Sequence, residues 1–112
     1  MPATVSLVAL INEAKPGVSP YTSKSYFYSL KRAAPISVQN QLGSGVSDNK
    51  VRIRWIKDHQ KTLLRLREFT PSVQRATVTA LLIISNHLYS ETSKSSQEYH
   101  RVFTDLSAVV NE

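Results

Sequence analysis

The chain of 112 residues has no cysteine, one methionine, one tryptophan and three glycines. Without cysteine it can form no disulfide, thiolate metal site or cysteine nucleophile, which suits a reducing interior. No apolar run is long enough to span a bilayer, and Met1 leads straight into Pro2 and a short alternating segment rather than a secretory signal pattern. A soluble protein without a membrane partner is expected. The HExxH, GxSxG and P-loop spacings are also missing, and Gly43-Ser44-Gly45 has no following GK[ST], so it reads as a plain loop. His59, His87 and His100 are scattered and have no partner motif. The expectation is therefore a single domain over residues 1–112, not an enzyme, with no cofactor, metal or small-molecule substrate.

What the chain does have is a concentrated positive charge. Fourteen Lys and Arg against eight Asp and Glu leave +6 overall. Between Lys50 and Arg75 lie eight basic residues (Lys50, Arg52, Arg54, Lys57, Lys61, Arg65, Arg67, Arg75) and two acids (Asp58, Glu68), so this segment alone accounts for the excess. A localised excess is a stronger sign of a polyanion partner than a diffuse one, because clustered charge concentrates phosphates. Arginine adds a planar fork suited to phosphate. A solvated, edge-protecting sheet face is the plainer explanation, but lysine would serve that purpose as well.

The same segment alternates. Val51-Arg52-Ile53-Arg54-Trp55-Ile56 and Leu63-Leu64-Arg65-Leu66-Arg67 follow a period of two, the period of a β-strand. As strands they would carry Arg52 and Arg54 on one face and Arg65 and Arg67 beside them, joined by a polar connector at 57–61. Further strand-like runs occur at 4–11, 25–30 and 36–42, and again at 75–84, which begins alternating and ends continuously apolar. Pro16-Gly17, Pro35, the 43–49 loop and Thr70-Pro71-Ser72 punctuate them.

The last fifth changes period. Tyr99, Val102, Phe103, Leu106, Val109 and Val110 fall on one helical stripe, and Ser95-Ser96-Gln97-Glu98 fits a capping box. The predicted fold class is α+β: an N-terminal β-hairpin and antiparallel sheet with strands over roughly 4–84, then a helix over roughly 91–110. One helix of about 18 residues, some 27 Å long, cannot cover so wide a sheet. A second copy is expected to do so, with Tyr99, Val102, Phe103, Leu106 and Val109 as the dimer packing residues.

This order of elements resembles the coat proteins of single-stranded RNA bacteriophages. The likeness is carried by Lys50–Ile56, a polar turn, Lys61–Arg67, a loop, and Arg75–Asn86 passing into the Ser/Thr-rich helix start. It implies an interlocked homodimer that assembles into an icosahedral shell in the host bacterial cytoplasm, a virion location, and a sheet face that binds a genomic RNA hairpin, represses translation and marks the genome for packaging. By position, it places Arg52, Arg54, Leu63, Arg65, Arg67, Thr77 and Thr79 on the RNA side. The alternation reaches the same arginines independently. A cellular sheet-based RNA-binding module is the alternative, in which Tyr26 and Tyr28, on one face of a strand, would add base stacking.

Overall fold

The computed structural model describes residues 4–110, and it is helical. Two three-residue strands, β1 (Thr4–Ser6) and β2 (Lys50–Arg52), accompany six α-helices: α1 (Leu7–Ala14), α2 (Pro20–Ala33), α3 (Ile36–Leu42), α4 (His59–Arg65), α5 (Pro71–Tyr89) and α6 (Lys94–Val110). Single 3-10 turns occupy Arg54–Ile56 and Leu66–Glu68. The predicted sheet-rich α+β fold is thus corrected. The only ladder among the described residues is antiparallel, with Thr4 opposite Arg52, Val5 opposite Val51 and Ser6 opposite Lys50.

Local chemistry explains where the strands give way. The run from Val51 starts extended, with Val51 and Ile53 buried and Arg52 and Arg54 exposed, as alternation requires. At Ile53 the backbone bends (φ −122°, ψ 0°) and the Ile56 amide donates to the Ile53 carbonyl (3.0 Å), closing a helical turn instead of a hairpin arm, while the Trp55 indole N–H donates to the Arg52 carbonyl (2.8 Å). The polar connector then begins a helix, because the Asp58 carboxylate accepts from the Lys61 amide. Thr70-Pro71 likewise opens a helix: Thr70 caps the Val73 amide, and Pro71 takes the first position, where its missing N–H costs nothing. Ser19-Pro20 does the same for α2, with Ser19 Oγ accepting from the Thr22 amide.

The segment 75–84, read as a strand, is the middle of the longest helix. Its apolar run is continuous because α5 is packed by α1, α2 and α6. Thr77 and Thr79 settle their hydroxyls by donating to the Val73 and Arg75 carbonyls one turn back (2.8 Å each). Leu7 and Ile11 of α1, Phe27 and Leu30 of α2, and Val78, Leu81 and Ile84 of α5 form the core with Val51 and Ile56. Gly43, at the end of α3, has φ +78°, a left-handed backbone that favours glycine.

The C-terminal stripe also finds its partner within the chain. Tyr99 is fully buried, and Val102, Phe103 and Leu106 are half-buried against the same core. Val109 is exposed. The helix starts at Lys94, with Ser93 Oγ accepting from the Ser96 amide, two residues before the predicted capping box. Among the described residues no broad sheet needs a second copy, so the geometric reason for assigning this stripe to an interlocked dimer is gone.

Candidate nucleic-acid interface

Three surface depressions adjoin one another through shared walls. The first, about 470 Å³, lies between α2 and the start of α5 and is lined by Tyr21, Lys24, Tyr28 and Arg32 with Ser25, Ser29 and Ser72. It shares Arg32 with a second, which also holds Ile36, Leu64, Arg65, Arg67 and Glu68. The second shares Leu64 and Arg67 with a third, between α4 and α6, where His59, Lys94, Glu98 and Arg101 stand. Six cations and two carboxylates border this track.

Helix geometry places the first group. Tyr21, Lys24, Tyr28 and Arg32 are spaced i, i+3, i+7 and i+11 along α2, one face of the cylinder, while Phe27, Leu30 and Ala33 bury the other. Exposed apolar groups accompany the charge. Tyr21 (83%), Ile36 (70%) and Leu64 (57%) are the three most exposed large apolar side chains among the described residues, and all three border the track. Ordinary surfaces scatter such groups singly.

The cations divide by what already holds them. Arg32 Nη1 donates to Thr77 Oγ1 (3.0 Å), and its guanidinium lies 5.9 Å from the Phe69 ring centre. Arg65 Nε donates to the Ala33 carbonyl (2.9 Å) and Nη2 to Thr62 Oγ1 (3.1 Å); burial holds its pKa below the ordinary arginine value. Arg101 pairs with Glu98 (2.9 Å) and Asp105 (3.3 Å), and the hydrogen bond from Arg101 holds the Glu98 carboxyl below its usual range. Lys24, Arg67 and Lys94 have no carboxylate partner among the described residues. They are the groups open to an external anion.

The arginines expected from the sequence therefore do not form one row. Arg67 is on the track and exposed. Arg65 is there but is committed to the Ala33 carbonyl. Arg52 and Arg54 are exposed away from it, Arg54 beside a notch with Trp55, Lys57 and Asp58. Leu63 is half-buried and lines the third depression. Thr77 is fully buried, and the Thr79 hydroxyl bonds back into its own helix. Tyr26 and Tyr28 do not share a face, because two residues turn a helix by about 200°. Lys24, Arg32, Lys94 and Arg101 were missed, although a helical reading of 21–32 would have aligned the first two.

Elsewhere His87 lies 3.4 Å from Glu13 at the surface and His100 is exposed. No three His, Asp or Glu side chains converge to hold a metal ion among the described residues, and none of their helices is long and apolar enough to cross a membrane. No family model, curated protein or solved structure matches this chain.

Proposed function

We infer that this chain is a nucleic-acid-binding domain that grips phosphates along the track from α2 to α6. The observation that carries the reading is the set of Lys24, Arg67 and Lys94, which line the adjoining depressions without carboxylate partners while exposed apolar side chains stand between them. Phosphate contacts supply sequence-independent affinity, and apolar and aromatic groups add contacts to sugar and base. The expectation of a shell-forming coat protein rested on the order of its strands, and a helical domain carries it no further. RNA binding does not depend on that order.

The test compares two charge reversals of equal size. Lys24, Arg67 and Lys94 changed together to Glu remove the same net charge as Lys50, Arg52 and Arg54 changed to Glu. The track variant is expected to lose binding to a labelled oligonucleotide, whereas the β2 variant keeps most of it. Equal losses would mean that only overall charge matters, and a loss confined to the β2 variant would return the interface to the arginines near Trp55. Binding that neither variant weakens would remove the interface from both surfaces, and a wild type that binds no oligonucleotide would sink the nucleic-acid reading.

A further inference from the structure

We propose that the α2 face at the first depression is a nucleobase platform, so that the domain prefers an unpaired strand to a duplex; this rests on the nucleic-acid reading above. Tyr21 stands out into solvent, 83% exposed, at the edge of a cleft that no carboxylate lines. Tyr28 lies two helical turns further along the same face, and at 1.5 Å per residue the seven-residue offset is about 10.5 Å. That matches about three nucleotides stacked at 3.4 Å each. Between the two rings is Lys24, its ammonium 6.0 Å from the Tyr28 ring centre and free to turn to a phosphate. Ser25, exposed on the same stretch of α2, adds a hydroxyl that can donate to or accept from base edges.

The preference for a single strand follows from what each ligand can offer. Inside a duplex the base faces are covered by their neighbours, so a protruding ring meets only sugar, phosphate and groove edges. An unpaired strand exposes its faces, and stacking on tyrosine is tolerant of sequence because every base has one. The cations along the track hold the backbone of either ligand. The tyrosines are what tell the two apart.

Fluorescence anisotropy with a labelled 12-nucleotide strand, and with the same strand annealed to its complement, tests this when the two are compared at matched salt concentrations across a salt titration. The wild type is expected to bind the single strand more tightly. Tyr21→Ala should weaken that binding by about 5- to 150-fold, the effect of losing one stacked base, with the salt slope unchanged and a smaller loss for the duplex, so that the preference for the single strand shrinks. Tyr21→Trp should restore it. Equal affinity of the wild type for strand and duplex, or a Tyr21→Ala protein that binds the strand as the wild type does, overturns the platform while leaving phosphate binding in place. If the wild type binds neither ligand at low salt, the nucleic-acid reading fails and the platform with it.

Discussion

The Tyr99 hydroxyl donates to the Ile56 carbonyl at 2.6 Å, across 43 positions of sequence and in the buried interior. This bond joins α6 to the turn that ends the β2 segment, where the chain leaves its extended course. Removing only the hydroxyl, in Tyr99→Phe, strands a buried carbonyl at a cost of roughly 1–3 kcal/mol. Tyr99→Ala also empties the space of the ring and is expected to cost about 3–5 kcal/mol, comparable to the whole stability of a small domain. Urea unfolding followed by circular dichroism checks both, and a Phe variant as stable as the wild type would show that the bond contributes nothing.

The same burial sets a pH dependence. Desolvation pushes the Tyr99 hydroxyl well above the ordinary tyrosine value, and Tyr89 is raised by the same cause. A group whose pKa is higher folded than unfolded stabilises the fold fully below its unfolded pKa and loses that contribution as pH rises towards the folded one. Stability is therefore expected to fall above roughly pH 10, the unfolded tyrosine value. Tyr99→Phe should flatten the decline. Thermal unfolding from pH 8 to 11 measures it, and equal slopes for the two proteins would contradict the assignment.

How much of this fold can be read from the sequence depends on window length. Five alternating residues fit a strand, but Leu63-Leu64-Arg65-Leu66-Arg67 also fits a helix once Thr62 is included, because Thr62 and Leu66 are the fully buried pair at i and i+4. The β-branched residues of 77–84 favour strands only weakly, and packing on several sides overrides that preference. Caps were the clearer signal. Ser19-Pro20 and Thr70-Pro71 each mark a helix start, and reading Thr70-Pro71-Ser72 as a turn between strands hid the longest helix, one wall of the first depression. The positive charge was legible, but its placement was not, since helical spacing distributes the arginines that a strand would have aligned.

Three buried hydroxyls hold α5 to α6. Ser85 Oγ lies 2.9 Å from Ser95 Oγ and 2.7 Å from Ser96 Oγ. Ser85→Ala removes the common partner of both and is expected to destabilise by roughly 1–3 kcal/mol. Amide hydrogen exchange localises the effect, with protection falling first at the start of α6. Uniform loss across all helices would instead mean that the junction opens only with the whole domain.

Arg65 and Arg67 are two residues apart yet should respond oppositely to substitution. Arg65 is half-buried and holds the end of α2 through the Ala33 carbonyl, so Arg65→Gln is expected to lower the melting temperature by breaking a charge-assisted bond worth about 1.5–3 kcal/mol. Its binding, measured where the variant remains folded, should keep the wild-type salt slope. Arg67 is exposed, so Arg67→Gln should leave the melting temperature within about 0.5 kcal/mol of wild type in stability terms. What it loses is one phosphate contact, which reduces the slope of log affinity against log salt by roughly 0.7 to 0.9. Differential scanning fluorimetry and a salt titration separate the two roles. A salt slope that changes with Arg65 and not with Arg67 would mean that Arg65, despite its bond to the Ala33 carbonyl, is the phosphate contact in the second depression and Arg67 is not.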